Sequence, residues 1–193
     1  ELEFNYLNIE AAFEYCVLEY PFSFWQWGGD CTQIPDEDQP LDVALSYLMQ
    51  QSNIDFFADG SMQNYASHYY QAATQMGYYG YDINLFKGLL KVLPTNQNPT
   101  AAFTPNKMSL PYDNKLSKQV FDWLKTKGDQ FIYINGALDT WSATAVPYSS
   151  KVDALWFNME GQDHAGARIK NMNELQKNKL QQQLQQWLFK NKE

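Results

Sequence analysis

Two side chains that could share acid–base chemistry each follow a short apolar segment. Asp139 comes just after segment 130–136, and His164 comes just after segment 154–159. A carboxylate that accepts a hydrogen bond from one imidazole nitrogen fixes the tautomer, so the other nitrogen can take a proton from a nucleophile. The sequence contains one further histidine, His68, in a segment with helical periodicity. Asp139 and His164 are therefore the candidate catalytic residues. We expect a carboxylate oxygen of Asp139 and a ring nitrogen of His164 to lie about 2.6–3.2 Å apart.

The two apolar segments are typical of buried parallel strands. Both are rich in β-branched or aromatic residues and are apolar on both faces. A helix over 173–189 follows them, with apolar residues on one face. The order strand–Asp, strand–His, helix is that of α/β hydrolases after their nucleophilic serine. Because two strands do not make a stable sheet alone, residues 116–193 are predicted to be the last strands and C-terminal helix of an incomplete α/β-hydrolase core.

Residues 1–115 are predicted to be a mostly helical cap domain, so the fold class is mixed α and α/β. A helix with a period of 3.6 residues begins near Ile9 and is expected to end at Pro21. Further helices are predicted over 41–49, over 62–76 with Gly77 near the end, and over 82–93 with Asp82 as N-cap. An irregular connector at 94–112 follows, and the next helix is predicted from Ser117 to Gly128.

Composition excludes several classes of partner. The net charge is −8 and Arg168 is the single arginine, so nucleic acid is not an expected partner. No apolar run is long enough to span a bilayer. Cys16 and Cys31 are too few for a zinc site, so no metal is expected, and they could form a disulfide or remain buried thiols.

Three segments carry a resemblance to a known family. Residues 131–142 (FIYINGALDTWS) and 163–169 (DHAGARI) resemble the C-terminal motifs of secreted bacterial tripeptidyl aminopeptidases, which are related to Pro-X carboxypeptidase and dipeptidyl peptidase enzymes. Residues 19–27 (EYPFSFWQW) resemble the start of the helical cap in the same group, and the likeness extends over about 9–190. It implies a secreted or periplasmic serine peptidase without cofactor that removes short peptides from free N-termini. By matching motif, Asp139 would orient the base and His164 would be the base.

The nucleophile that the resemblance implies is absent from the sequence. Such enzymes carry the serine in a Gly-x-Ser-x-Gly turn before the cap, and this chain has no such motif. Gly60-Ser61 lacks the flanking glycines and is interpreted as a turn or helix cap. The chain is therefore expected to be a C-terminal fragment, inactive alone, whose partners are the missing N-terminal half and a peptide substrate.

Four residues are weaker candidates for substrate binding. Glu19 could bind the α-amino group of a substrate, because an ammonium is costly to desolvate unpaired; the alternative is a solvated helix face. Trp25 and Trp27 could form walls of a peptide pocket, and Trp141 could shield the Asp–His pair from water. Packing in the core is the alternative for Trp25 and Trp27.

Two other functions remain open. A helical module could bind peptides in an aromatic groove without catalysis, and an esterase-like hydrolase could share the sheet but not the substrate. Asp139 and His164 at strand ends favour a hydrolase over a binding module. The aromatic segment favours a peptidase over an esterase.

Overall fold

A computed structural model of the protein describes residues 1–77, 80–93 and 102–189. The chain forms two compact units, and each is described here by itself. The first contains residues 1–24 and 30–118, and the second contains residues 25–29 together with the chain from Gln119 onward. The short segment Trp25–Gly29 is thus grouped with residues that follow it by 90 positions or more in the sequence. The assignment of 1–115 to a cap and of 116–193 to a hydrolase core stays a prediction.

The secondary structure is mainly helical, with one pair of strands in the described part of the chain. In order, the helices and strands are α1 (Ile9–Gln26), α2 (Leu41–Ser52), α3 (Asp59–Asn64), α4 (Ala66–Gln71), α5 (Lys115–Thr126), β1 (Ile132–Gly136), β2 (Leu155–Met159) and α6 (Glu174–Phe189). Short 3₁₀ turns lie at Cys31–Gln33, Ile54–Phe57, Pro105–Lys107, Thr140–Thr144 and Ile169–Asn171, and a π-helical turn lies at Ala72–Met76. None of the helices within the described residues is long and apolar enough to cross a membrane.

The prediction that Pro21 ends the first helix is wrong, because α1 continues to Gln26. Proline removes one backbone donor and crowds the preceding turn, which normally ends or kinks a helix. Here the turn that follows is held by burial: Ser23 is 6% and Phe24 is 3% exposed. The Ser23 hydroxyl also donates to the Glu19 carboxylate at 3.1 Å. These contacts offset the lost hydrogen bond.

The prediction of a helix over 82–93 is also wrong, because the structure has turns in this segment. Asp82 accepts the N–H of Asn84 at 3.0 Å and starts a series of turns instead of a helix. The cause lies elsewhere in the sequence, on α1. The Glu14 carboxylate accepts the N–H groups of Lys91 at 2.5 Å, of Val92 at 3.1 and 3.2 Å, and of Leu93 at 2.8 Å. A helix would need these three donors for its own carbonyls.

Two other predicted helices have different bounds from those expected. The segment 62–76 is divided into α3, α4 and the π-helical turn, and Gly77 at φ 78° ends it as predicted. α5 begins before Ser117, whose hydroxyl donates to the main-chain carbonyl of Gln75 at 3.1 Å instead of capping the helix. The described part of the predicted connector, 102–112, contains one 3₁₀ turn, and residues 94–101 lie outside the described residues.

An aromatic cluster forms the core of the first unit. Tyr15 and Phe57 are fully buried, and their rings stack with centroids 5.6 Å apart. Phe103 lies 4.8 Å from the Tyr15 ring and 6.0 Å from the Phe57 ring. Much of the high aromatic content therefore serves packing in this unit.

The cysteines of this unit are both free thiols, so the disulfide alternative is not realised. Cys16 is buried, whereas Cys31 is exposed, which corrects the expectation of two buried thiols. Burial, with a smaller contribution from the negative charge of Glu19, raises the pKa of the Cys16 thiol to about 12.

The second unit is built on β1 and β2, which lie where the apolar segments predict them. The strands are parallel, and Ile132 pairs with Leu155 at one end and Gly136 with Met159 at the other. One face, including Ile134, packs against Leu180, Leu184 and Trp187 of α6. Because the strands are parallel, their carboxyl ends lie side by side and the loops that follow both leave from the same edge.

We expect the Glu14 carboxylate to be a main stabilising contact of the first unit. Glu14→Gln replaces an acceptor oxygen with an amide donor facing backbone N–H groups, and should lower the free energy of unfolding by about 2–4 kcal/mol. Urea unfolding followed by circular dichroism measures this change. Glu10→Gln is the matched control on the exposed side of the same helix, with an expected loss under about 1 kcal/mol. Equal losses for the two variants would contradict this role of Glu14.

Candidate active site

Asp139 is held in a tight turn directly after β1. Its main-chain N–H donates to the Gly136 carbonyl at 3.2 Å, and its Oδ1 accepts the N–H of Trp141 at 3.0 Å, which caps the 3₁₀ turn Thr140–Thr144. The Ser142 hydroxyl donates to the same Gly136 carbonyl at 2.8 Å. Oδ1 thus accepts a hydrogen bond from the backbone, and the second oxygen, Oδ2, takes no part in this cap.

His164 lies in the turn after β2, next to Asp139. Its Nδ1 is 2.8 Å from Asp139 Oδ2, within the range expected for a catalytic pair. Because an ionised carboxylate only accepts hydrogen bonds, Nδ1 donates and Nε2 of the neutral ring is left as an acceptor. The Asp139 side chain is 10% exposed and that of His164 is 39% exposed. The acid is therefore largely withdrawn from water, while the base remains accessible to a reacting group.

The two loops are joined by their backbones as well as by this side-chain pair. The N–H of Ala137 donates to the Met159 carbonyl at 3.1 Å, and the N–H of Leu138 donates to the Gln162 carbonyl at 3.0 Å. Gly136 permits the approach, because a Cβ atom there would lie 2.5 Å from the Gln162 carbonyl oxygen. The main-chain hydrogen bonds between the two loops therefore fix the relative position of Asp139 and His164, independently of the contact between their side chains.

A segment distant in sequence contacts the histidine turn directly. The N–H of His164 donates to the Gln26 carbonyl at 3.0 Å. The rings of Trp27 and His164 are nearly perpendicular, with centroids 5.3 Å apart and an interplanar angle of 73°. Gly28, at φ 72°, lies against Asp163, since a Cβ atom at position 28 would be 2.5 Å from Asp163 Oδ2. Sequence reasoning missed Gln26 and Gly28, although Gly28-Gly29 after an aromatic segment indicates a close backbone approach.

The structure places the candidate tryptophans around this pair in different ways. Trp25 lines an open cavity of about 850 Å³ together with Asp139 and Leu138, and is 44% exposed. Trp27 is 55% exposed and contacts the His164 ring. Trp141 is half-buried and supplies the N–H that caps Asp139. Their roles towards a substrate stay predictions.

Glu19 belongs to the first unit and is buried, with 5% exposure, so the alternative of a solvated helix face is wrong. Its carboxylate accepts hydrogen bonds from the Ser23 hydroxyl at 3.1 Å and from the Tyr81 hydroxyl at 2.8 Å. A buried carboxylate that accepts such hydrogen bonds can also pair with an ammonium group. Its role in substrate binding stays a prediction.

No group of three His, Cys, Asp or Glu side chains that could hold a metal ion occurs among the described residues. The chemistry that the site can perform is set by the Asp139–His164 pair: the neutral imidazole can accept a proton through Nε2, and the nearby carboxylate stabilises the imidazolium that results.

Comparison with known proteins assigns the chain to a family. A sequence profile of the PS-10 peptidase S37 family matches residues 4–190, and the chain belongs to this family. It is similar to a prolyl tri/tetrapeptidyl aminopeptidase of Streptomyces mobaraensis, with 25% identity over 137 residues, which are 70% of this chain and 28% of that enzyme. The chain therefore spans less than a third of the length of this curated relative. No solved structure matches the chain. The predicted peptidase family is confirmed, and the α/β-hydrolase fold stays a prediction.

The contact at Gly136 leads to a stability prediction. Gly136→Ala should lower the free energy of unfolding by about 1–3 kcal/mol, because the added methyl group forces apart the loops that carry Asp139 and His164. Gly60→Ala is the control: a Cβ atom there meets nothing within 4 Å, and alanine favours the helix α3 by about 0.5–1 kcal/mol. Urea unfolding of both variants measures the difference. An unchanged stability for Gly136→Ala would show that the loops do not approach as described.

Proposed function

We propose that this member of the peptidase S37 family contributes the acid–base half of a serine exopeptidase that removes short peptides from free N-termini. The observation that carries the proposal is the 2.8 Å contact between His164 Nδ1 and Asp139 Oδ2 at the adjoining ends of two parallel strands. The similarity to the prolyl tri/tetrapeptidyl aminopeptidase of Streptomyces mobaraensis supports this substrate class.

In the proposed reaction, His164 is the general base and then the general acid. Its Nε2 takes the proton of a serine hydroxyl as the oxygen attacks the peptide carbonyl, and later gives the proton to the leaving amine. Asp139 keeps the proton on Nδ1 and stabilises the imidazolium. The serine belongs to a Gly-x-Ser-x-Gly turn, which this sequence does not contain, so the reacting hydroxyl is supplied by the rest of the enzyme.

The remaining candidates have proposed roles in binding the peptide or in excluding water. Glu19 pairs with the α-amino group of the peptide, because a buried carboxylate that accepts hydrogen bonds from the Ser23 and Tyr81 hydroxyls can also pair with an ammonium group. Trp25 and Trp27 are walls of the peptide pocket, and Trp141 limits the access of water to Asp139. The first unit serves as the helical cap, the fold is that of an α/β hydrolase, and the location is secreted or periplasmic. These further points rest on the family resemblance.

The proposal is tested with the coding sequence extended upstream of residue 1 until it includes a Gly-x-Ser-x-Gly motif. The extended protein should release tripeptides from a peptide with a free N-terminus, and much more slowly from the same peptide with an acetylated N-terminus. His164→Ala and Asp139→Asn should each lower kcat by about 10³- to 10⁴-fold. His68→Ala is the matched control and should leave kcat within about twofold.

Three outcomes would contradict the proposal, each in a different way. Full activity of His164→Ala would remove His164 from the chemistry. Equal rates on free and acetylated peptides would exclude an aminopeptidase. Hydrolysis of aryl esters without cleavage of peptides would favour the esterase-like alternative.

A further inference from the structure

The hydrogen bond to Asp139 restrains one atom of the His164 ring and leaves the rest of the ring to be held by other contacts. The side chain is 39% exposed, so water can compete for Nδ1 whenever the ring turns away. A base must present its Nε2 in a narrow range of directions, because proton transfer requires a distance and an angle close to those of a hydrogen bond. A second contact on the imidazole is therefore needed to keep the ring in place.

The Trp27 indole provides such a contact. Its ring is nearly perpendicular to the imidazole, with centroids 5.3 Å apart, which is a favourable arrangement for two aromatic rings. The contact lies within the second unit, and it connects positions 137 apart in the sequence.

Trp27 is itself held on both sides by the histidine turn. The residue before it, Gln26, accepts the N–H of His164 through its carbonyl at 3.0 Å. The residue after it, Gly28, packs against Asp163, whose Oδ1 accepts the N–H of Gly166 at 2.6 Å. With both neighbours anchored to the same turn, the Trp27 backbone has little freedom to move away from the imidazole.

We propose that Trp27 is a positioning residue that holds the His164 imidazole in the orientation in which Nδ1 stays bonded to Asp139. The catalytic consequence rests on the proposed function, but the restraint itself is a property of this chain without substrate. A Trp27 that was only a wall of the peptide pocket would affect the binding of a peptide and leave the Nδ1–H of His164 unchanged.

The test measures exchange of the Nδ1 proton of His164 with solvent by nuclear magnetic resonance of the ¹⁵N-labelled chain. His68 is the only other histidine, so a His68→Gln variant assigns the signals. Trp27→Ala should increase the exchange rate by about two- to tenfold, because the open orientation gains population when the ring contact is lost. Trp27→Phe keeps an aromatic ring at the position and should restore an exchange rate within about twofold of the unsubstituted chain.

Trp123→Ala is the matched control, since it removes an indole of similar exposure, 46% against 55% for Trp27, whose ring contact is with Phe131 in the same unit. It should leave the exchange of the His164 proton unchanged. Circular dichroism verifies that each variant is folded, and Trp27→Phe provides the comparison with least disturbance.

Three results would overturn the positioning role, and of these only the third would also overturn the proposed function. Exchange in Trp27→Ala equal to that in the unsubstituted chain would show that the indole does not restrain the ring. The same acceleration in Trp123→Ala would show a general loosening of the unit. A Nδ1 proton that exchanges no more slowly in the unsubstituted chain than in Asp139→Asn would mean that the Asp–His pair is not formed, which overturns the positioning role together with the proposed function.

Discussion

The hydrogen bond between Asp139 Oδ2 and His164 Nδ1 is the contact on which the proposed chemistry of the second unit depends. It forms because two parallel strands end side by side and because main-chain hydrogen bonds join the two loops that follow them. The two carboxylate oxygens of Asp139 have different partners: Oδ1 caps a 3₁₀ turn, and Oδ2 accepts a hydrogen bond from His164. The turn thus fixes the carboxylate, and the carboxylate fixes the imidazole.

Carboxylates have a similar organising role in the first unit. Glu14 binds three consecutive backbone N–H groups that are 77 to 79 positions away. Asp59 accepts the N–H groups of Asn5 and Tyr6, and these hydrogen bonds, first that from Tyr6, hold the pKa of Asp59 below its usual value. Several acidic residues of this chain, whose net charge is −8, are therefore acceptors that join distant segments.

The local sequence pattern was sufficient to predict the elements whose contacts are close in sequence or follow from the regular geometry of parallel strands. The strands are apolar runs with few alternatives, and an acid and a base after two such runs meet because parallel strands end at one edge. The path of 82–93 depends on the long-range contact of Glu14 with residues 91–93. The continuation of α1 past Pro21 goes with the burial of Ser23 and Phe24 in the folded chain. The only local signal for the contact of Trp27 with His164 is the glycine pair Gly28-Gly29, which indicates a close backbone approach but not its partner. Sequence patterns therefore predicted that Asp139 and His164 lie together, but not that Trp27 packs against His164.

Under the proposed function, this chain supplies the acid–base pair and the nucleophile comes from outside it. Labelling of the 193-residue chain by a fluorophosphonate probe, read as intact mass, tests this most directly, because the probe reacts with a serine only when a base activates it. We expect no adduct for the chain alone. A single covalent adduct would show that a serine within this sequence is activated, and would contradict the claim that the nucleophile is supplied from outside it.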